Sequence, residues 1–321
     1  MSYQTGSATD PDDLMDKLNT FLTGTPGWTA DLFNLTTRRA VWSKAGVSCK
    51  IMFYWDTTNI GTAMIQTYVG DVALTSQGGA EYASTTITNN RYTNMMTGPY
   101  PSYHFFEDDN YIHVVVERSS GIYRHFGFGQ MNKLGDWVGG CYVYAGFWDQ
   151  NASSIDNPHS TNHHMGLHGS NSGNSTRGPG WHAEGFPDTV APSKYFRNTI
   201  ATTVNDNDGE DINTGFSFGY MDGPNVHFMA LQESSLNGFK PIMPIPFYQW
   251  YFGSAPDRAR LMGYAPDMRT VNVHGLTVGQ EIVIGADTWV AFPVVRPGNE
   301  GLAFDQEQSY NYGYAYKKVT T

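Results

Sequence analysis

The sequence has little charge, few cysteines and no long apolar run. Charged residues make up 15% of its 321 residues, well below the roughly 25% of an average globular protein. The net charge is −11, and the only adjacent basic pairs are Arg38-Arg39 and Lys317-Lys318. Because a nucleic-acid-binding protein needs a clustered basic face, we expect no nucleic-acid partner. No stretch approaches the roughly 18 apolar residues of a membrane-spanning helix, so we expect no membrane insertion.

The number of cysteines and the N-terminal residues indicate the cellular compartment in which the chain folds. Two cysteines, Cys49 and Cys141, are too few for a disulfide framework, and both lie in strand-like runs. We therefore interpret them as buried apolar thiols. The opening "MSYQTGSATDPDD" has neither the basic nor the apolar region of a secretory signal. We expect the chain to fold in a cytoplasm, so that the sequons at Asn34 and Asn151 stay unmodified.

One helix is predicted near the start, over residues 10–23. Thr9 or Asp10 can cap it, Pro11 suits its first position, and the two aspartates that follow favour the positive end of the helix dipole. The apolar residues recur at helical spacing and stop before Gly24. The pattern indicates a short amphipathic helix that lies on a sheet.

Strand-like runs dominate the rest of the chain. Apolar, β-branched and aromatic residues concentrate at 47–55, 62–69 and 111–118. In the third run, even-numbered residues lie on one face and odd-numbered residues on the other. Ser119-Ser120-Gly121 predicts a turn, so residues 122–129 are expected to return as the second arm of a hairpin.

The C-terminal third adds a second hairpin. Gly285-Ala286-Asp287 separates "GQEIVIG" from "TWVAFPVV", which is a strong hairpin signal. Three prolines, at 241, 244 and 246, are predicted to break the segment before it. The sequence therefore predicts a mainly β fold, with β-sandwich-like sheets, a short N-terminal amphipathic helix and long polar loops.

The stretch 121–149 mixes eight aromatic residues with seven glycines. Gly127 and Gly129 alternate with Phe126 and Phe128, so the rings lie on one face and bare backbone on the other. Aromatic residues in strands are usually core residues, so we interpret the stretch as scaffold rather than as a site. The glycines are expected to admit a closely packed neighbour, and the residues predicted to fill a sheet core are Phe126, Phe128, Tyr142 and Tyr144.

Polar segments divide the chain. Residues 150–180 lose apolar periodicity, which indicates a loop longer than a compact domain usually has, and residues 204–215 form a second, acidic segment. We predict an N-terminal helix plus β-rich region over 1–149, a loop-rich excursion over 150–214 and a C-terminal β-rich region over 215–321. The alternative is one continuous domain.

A histidine cluster in the first polar segment is the sharpest chemical feature. Imidazoles at such spacing can ligate zinc, iron or nickel, and the candidate ligands are His159, His163, His164 and His168. The segment lacks a helical pattern that would align His164 with His168, and no carboxylate completes a recognisable ligand set. We therefore favour a solvated or interface loop and expect no metal or other cofactor. A metal-dependent hydrolase built on this loop is kept as an alternative.

Other catalytic patterns are missing from the sequence. The acidic "DNDGED" fails the EF-hand spacing, because Gly215 stands where a bidentate glutamate is needed. The run "GFSFG" at 215–219 has the G-x-S-x-G spacing, but it is strand-like rather than a strand-to-helix turn, so we predict no nucleophile elbow there. "GFGQMNKLG" lacks the ending of a phosphate-binding loop. Cys141 could pair with His113 or His125, but packing inside a strand is the favoured role. We predict no catalytic residue, and hence that the chain is not an enzyme.

Two aromatic groups are candidates for binding surfaces. The first could form a sugar-stacking platform, although a core role is favoured, and it consists of Trp137, Tyr142, Tyr144, Phe147 and Trp148. The tail "SYNYGYAYKK" alternates tyrosines with small residues, which suits an interface because rings can be buried while hydroxyls reach polar partners. An ordinary final strand in the chain's own sheet is the alternative. The interface candidates are Tyr310, Tyr312, Tyr314 and Tyr316.

Three segments together resemble virion structural proteins of tailed bacteriophages. They are the start "MSYQTGSATDPDDLMDKLNTFL…GW", the later "YHFFEDDNYIHVVVERSSGIYRHFGFGQMNKLGDWVGG" and the end "RTVNVHGLTVGQEIVIGADTWVAFPV". In such proteins a short N-terminal helix precedes a β-rich body, and a terminal hairpin carries a "GADTWVAFPV"-like segment. The resemblance covers most of the chain loosely and implies a tail, baseplate or neck component without catalytic residues.

The function expected from this resemblance is assembly. The chain would be a virion subunit, assembled in the host cytoplasm, with copies of itself and other virion proteins as partners. Low charge and abundant Tyr, Asn, Gly and Thr suit a subunit that buries surface against neighbours and orders its long loops there. The alternative is a receptor- or carbohydrate-binding module of the tail, which would recognise a host surface glycan or receptor through Trp137 and Trp148.

Overall fold

The computed structural model describes residues 1–47, 50–56, 64–70, 91–94, 98–135, 138–145, 180–186, 196–199, 210–214, 242–251, 258–273, 276–293 and 312–318. Within these ranges there is one helix, α1 (Pro11–Thr23), and there are nineteen strands. The strands are β1 (Ser2–Ala8), β2 (Thr29–Asn34), β3 (Arg39–Ser43), β4 (Lys50–Asp56), β5 (Met64–Gly70), β6 (Arg91–Asn94), β7 (Tyr100–Asp108), β8 (Tyr111–Ser119), β9 (Ile122–Gln130), β10 (Asn132–Lys133), β11 (Val138–Ala145), β12 (Gly180–Phe186), β13 (Phe196–Thr199), β14 (Glu210–Thr214), β15 (Ile242–Tyr251), β16 (Arg258–Asn272), β17 (Gln280–Ile284), β18 (Asp287–Pro293) and β19 (Tyr312–Lys318).

The strands form three antiparallel sheets. The central sheet has the order β1-β7-β8-β9-β11-β12-β13, and the N-terminal sheet has the order β2-β3-β4-β5-β6. The C-terminal sheet has the order β14-β15-β16-β19-β18-β17, with β10 paired to β16. The prediction of a mainly β, sandwich-like fold with a short N-terminal helix is therefore confirmed.

Helix α1 forms where the local sequence signals place it. The carboxylate of the N-cap Asp10 accepts a hydrogen bond from the amide of Asp13 at 2.8 Å. The helix ends before Gly24, whose amide donates to the carbonyl of Phe21. The predicted range of 10–23 is thus confirmed, and the apolar face is buried in a core that it shares with the central sheet: Leu14, Met15, Leu18, Phe21 and Leu22.

The first face of the central sheet packs against α1 and the N-terminal sheet. The ring of Trp28 meets Phe128 edge-on at 5.6 Å, and Phe53 lies 5.9 Å from Phe126 and 5.6 Å from Phe128. The even-numbered residues of β8 lie on this face, as predicted, and are fully buried: Ile112, Val114 and Val116. The prediction that Phe126 and Phe128 fill a sheet core is confirmed. The side chains of Tyr142 and Tyr144 lie outside the described residues.

Two tryptophan indoles of the N-terminal sheet form hydrogen bonds to helix α1. Trp42 donates its N–H to the Asn19 amide oxygen at 3.0 Å, and Trp55 donates to the Asp12 carboxylate at 2.6 Å. Both acceptors are on α1, so β3 and β4 each hold the helix by a buried ring with a polar end. These bonds join residues 23 and 43 positions apart in the sequence.

The second face of the central sheet packs against the C-terminal sheet. Phe106 stacks on Tyr316 at 5.0 Å, and Tyr123 lies 5.7 Å from Phe292. This differs from the expectation that β9 exposes bare backbone beside its glycines, because Tyr123 and His125 also occupy that face and are buried. The central sheet is therefore an inner layer, which explains why β8 has apolar residues on both faces.

Gly129 is where the expected close approach is found. It lies opposite Tyr111 in the β8–β9 pairing. A Cβ atom added at Gly129 would lie 2.5 Å from the Asn110 carbonyl oxygen and 2.6 Å from the Tyr111 Cβ. The neighbour that the glycine admits is therefore the adjacent strand of the same chain.

Gly129→Ala is expected to destabilise the protein by about 1–3 kcal/mol, the usual range for overpacking, because backbone atoms must move. Gly121→Ala is the control: its φ is 76° and nothing lies within 4 Å of an added Cβ, so only the backbone conformation costs, about 1 kcal/mol. The free energy of unfolding from a denaturant titration measures both. Equal or smaller destabilisation by Gly129→Ala would contradict close packing.

Strand β15 continues through two prolines, so the prediction that they break the segment was wrong. The pairing with β16 runs from Pro244–Arg269 to Pro246–Tyr264, with a register shift between them. The opposed residues 265–268 of β16 bulge out of the ladder. A bulge removes the need for a proline N–H at this point of the ladder.

Three strands lie within residues 150–214, where a loop-rich excursion was expected. Strands β12 and β13 extend the central sheet, and β14 pairs with β15 in the C-terminal sheet. The acidic segment 204–215 thus contains a strand, Glu210–Thr214. The loop was predicted over 150–180: residues 150–179 are outside the described residues, and Gly180 is the first residue of β12.

Among the described residues, the only helix is far too short and too polar to cross a membrane.

Candidate functional site

Three histidines converge between the central and C-terminal sheets. His104, His113 and His125 lie on the neighbouring strands β7, β8 and β9 and point to the same side of the central sheet. Opposite them are Phe292 of β18 and two rings of β19. We call this set the sheet junction, and its members are His104, Phe106, Tyr111, His113, Tyr123, His125, Phe292, Tyr314 and Tyr316.

His125 bonds two strands of the C-terminal sheet at once. Its Nε2 lies 3.0 Å from the Pro293 carbonyl oxygen, and its Nδ1 lies 2.8 Å from the Tyr316 hydroxyl. A carbonyl can only accept, so Nε2 carries the proton, and in the neutral ring Nδ1 accepts from the tyrosine. The imidazole is 1% exposed.

His113 bonds the bulge of β16. Its Nε2 donates to the Pro266 carbonyl oxygen at 3.1 Å, and its ring stacks on Tyr111 at 4.4 Å. The next bulge residue, Asp267, has a φ of 47°. The Lys317 ammonium lies 3.8 Å from the Asp267 carboxylate and 2.8 Å from the Asp287 carboxylate, so it pairs with both. The bulge that accommodates the β15 prolines thus also presents a carbonyl to the central sheet.

His104 occupies the edge of the sheet junction. Its Nδ1 lies 2.9 Å from the Tyr3 hydroxyl of β1, and its ring lies 4.6 Å from Phe292. The ammonium of Lys318 lies over the Tyr3 ring at 4.9 Å. This histidine therefore bonds within the central sheet, and the charged groups that act on its pKa are Glu117 and Lys318.

Burial keeps the three imidazoles neutral. It lowers the pKa of His113 to about 3, and the hydrogen bond to Pro266 opposes this only in part. Burial lowers the pKa of His125 to about 4, with Arg124 contributing in the same direction. Burial also lowers the pKa of His104 to about 4, against the attraction of Glu117.

The sheet junction can join two sheets and respond to protons. Its imidazoles donate to backbone carbonyls, and the rings of His113 and His125 are closed off from solvent, so a substrate has no access to their nitrogens. Sequence reasoning considered these two residues only as partners of Cys141 and missed their convergence. A usable signal was present, because each histidine has only apolar residues or glycine on either side of it on its own strand face: Tyr111 and Val115 beside His113, and Tyr123 and Gly127 beside His125.

The predicted interface tyrosines fall partly inside the sheet junction. Tyr314 is 1% exposed and Tyr316 is fully buried. For these two the interface expectation is corrected, because β19 lies between β16 and β18 and their rings pack against His125. Their alternative, a strand in the chain's own sheet, applies. Tyr310 and the side chain of Tyr312 lie outside the described residues.

The other predicted site residues are not in the described part of the chain. This holds for the histidines of the polar loop, His159, His163, His164 and His168, and for Trp137 and Trp148. Within the described ranges, no group of three or more His, Cys, Asp or Glu side chains could hold a metal ion.

Strand β17 carries the most exposed large apolar side chain of the described residues, Val283. Strand β17 ends the order of the C-terminal sheet and pairs with β18. Val283 is 70% exposed, Ile284 45% and Val278 41%. The hairpin predicted around Gly285 is confirmed, but sequence reasoning did not predict which arm would be at the edge.

No protein-family model matches the sequence, and no curated protein matches it at a significant level.

Proposed function

We propose that the chain is a structural subunit of a tailed-bacteriophage particle, in its tail, baseplate or neck, and that it acts through protein–protein assembly. The support begins with the resemblance of three segments to virion structural proteins of such phages. Those segments contain α1, the β7–β9 meander and the β17–β18 hairpin. The observation that carries the proposal is the apolar edge of that hairpin.

An exposed apolar edge strand favours pairing with another chain. Such an edge presents unpaired backbone N–H and C=O groups, and soluble monomers usually protect it with charge or proline. Strand β17 has one charged residue, Glu281, and its carboxylate is held by Lys318 at 2.6 Å. Val283 and Ile284 remain exposed beside it. This edge suits burial against a neighbouring subunit.

The direct test is the composition of the particle. Purified particles, produced from the genome that encodes the chain, are expected to contain it at a fixed small-integer copy number. Quantitative mass spectrometry of particles measures this number. Absence of the chain from infectious particles would contradict the proposal.

The double substitution Val283→Lys/Ile284→Lys is expected to abolish incorporation into particles while leaving the subunit folded. Both side chains are largely exposed, and exposed substitutions usually change stability by less than about 0.5 kcal/mol. Two lysines on the edge would oppose pairing with another chain. Incorporation is measured by complementing a genome that lacks the wild-type chain.

Leu35→Lys/Leu134→Lys is the matched control. These leucines are 41% and 46% exposed, and neither lies in β17. The control is expected to be incorporated like the wild type. Normal incorporation of the β17 variant, or equal loss in both variants, would show that the edge is not an assembly surface.

A further inference from the structure

We propose that the sheet junction is an acid-responsive device: protonation of His113 and His125 separates the C-terminal sheet from the central sheet, while α1, the N-terminal sheet and the first face of the central sheet stay packed. The proposal rests on which bonds cross the junction and on what surrounds them. It is independent of the proposed role in a phage particle.

Two imidazoles supply three of the bonds that cross the sheet junction, and Tyr111 of β8 adds a side-chain hydrogen bond to Asp267 of β16. His113 donates to Pro266 in β16, while His125 donates to Pro293 in β18 and accepts from Tyr316 in β19. Each of the three strands that face the central sheet here is therefore bonded to one of these rings. Aromatic packing completes the contact, with Tyr316 at 5.5 Å from His113 and 5.9 Å from His125.

Protonation would disrupt this arrangement at His125. In the neutral ring, the Tyr316 hydroxyl donates its proton to Nδ1. A doubly protonated ring carries an N–H at Nδ1 instead, so the hydroxyl would have to turn its proton away from the ring. The charged groups around His125 do not compensate a new positive charge. The charged group that acts on the pKa of His125 is Arg124, which is also fully buried and lowers that pKa, and the facing residues of β19 are the uncharged Tyr314 and Tyr316.

His113 is in a similar position. Its own sheet contributes Tyr111, β19 contributes Tyr316, and the β16 bulge contributes the Pro266 carbonyl with Asp267 next to it. Asp267 is engaged with Lys317, and burial raises the pKa of its carboxyl group. His104 is different, because its imidazole bonds Tyr3 of β1 in the central sheet rather than a strand of the C-terminal sheet. We therefore assign the response to His113 and His125.

Among the described residues, the only buried histidines are His113 and His125, and both lie on the second face of the central sheet. The core of the first face consists of aliphatic and aromatic side chains, and its polar links are tryptophan N–H groups bonded to Asp12, Asn19 and Glu107. None of these links involves a histidine, and a free histidine takes up its proton near pH 6.5. Below that pH, release of His113 and His125 takes up protons, while Asp267, whose pKa burial raises in the packed state, acts in the opposite direction.

The sign of the effect follows from the two states. A released histidine titrates near pH 6.5, whereas the packed rings have pKa values of about 3 and about 4. The opened state therefore binds more protons over this interval, and each histidine favours opening about tenfold per pH unit below 6.5. At pH 5 the two together favour opening by roughly a thousandfold relative to neutral pH.

Hydrogen exchange of the intact chain at pH 7 and pH 5, corrected for the intrinsic exchange rate, tests the proposal. Protection factors of amides in β16, β18 and β19 are expected to fall by up to about a thousandfold, as each histidine contributes about tenfold per pH unit. Those in α1 and β3 should change less than about threefold. Unchanged protection in the C-terminal sheet, or an equal fall in all these elements, would overturn the proposal.

The variant His113→Gln/His125→Gln retains side-chain N–H donors but cannot titrate in this range. Its protection factors in β16 and β18 are expected to be the same at pH 7 and pH 5, whatever its overall stability. His104→Gln is the control and should keep the wild-type fall. A pH-dependent fall that persists in the double variant would refute the assignment, and the wild-type comparison of sheets stands even if that variant does not fold.

Discussion

Deletion of residues 312–321 is expected to abolish cooperative folding of the chain. Strand β19 lies between β16 and β18, with Thr270 opposite Tyr314 on one side and Phe292 opposite Tyr314 on the other. Its removal would leave β17 and β18 as a hairpin detached from the rest of the C-terminal sheet, and isolated hairpins are marginal in water. The deletion also takes two fully buried tyrosine rings out of the sheet junction.

The loss of stability on deletion can be estimated from the burial of a single tyrosine ring. Truncation of a buried aromatic side chain to alanine costs about 3–5 kcal/mol, and a whole domain is stable by only about 5–15 kcal/mol. Tyr316→Ala alone should therefore remove a large share of the stability. Loss of two rings and of two strand pairings should exceed it.

Circular dichroism melts and limited proteolysis measure the result. The deleted chain is expected to show no sharp transition and rapid cleavage. Tyr316→Phe is the control, because it keeps the ring and removes only the hydroxyl bonded to His125, at a cost of about 0.5–1.5 kcal/mol. A deletion variant that melts cooperatively near the wild-type midpoint would show that β19 is dispensable, and would revive the interface role for its tyrosines.

The tyrosine row shows how far sequence pattern reaches. Alternation correctly predicted an extended strand with small residues on one face, and Ala315 does pack there against Trp289 and Val271. Alternation could not predict what lies beyond the tyrosine face. Half-exposed interface rings and fully buried rings have the same period of two, so the number of layers decides between them.

Local sequence signals predicted individual helices and hairpins, whereas they could not predict the pairing of strands that are far apart in the sequence. Helix α1 and the hairpin at Gly285 are each specified by neighbouring residues, so their existence and approximate ends could be predicted. The pairing of Ser2 with Glu107 in β1–β7 joins segments about a hundred residues apart, and no local rule gives its register. The bonds of His113 and His125 span 153 and 168 residues.

A second large effect is expected at a buried carboxylate. Glu107 is 1% exposed, and its Oε1 accepts from the Trp28 indole at 2.8 Å and from the Lys44 ammonium at 2.9 Å. Trp28 precedes β2 and Lys44 follows β3, so one oxygen atom fastens both to the central sheet. Burial tends to lower the pKa of Lys44, but its bonds to Asp109 and Glu107 outweigh this and raise it above its ordinary value.

Glu107→Ala is expected to destabilise the protein by about 3–5 kcal/mol, the usual cost of leaving a buried ion-pair partner uncompensated. Asp109 cannot replace the lost carboxylate, because it is 82% exposed and bonds only the outer side of Lys44. Lys17→Ala, which breaks the solvent-exposed pair with Asp13, is the control and should cost less than about 1 kcal/mol. Denaturant titration gives both values. The variant Glu107→Leu/Lys44→Met removes both charges, so much of the lost stability should return. A double variant as unstable as Glu107→Ala would show that the loss comes from packing around Trp28 rather than from an unpaired charge.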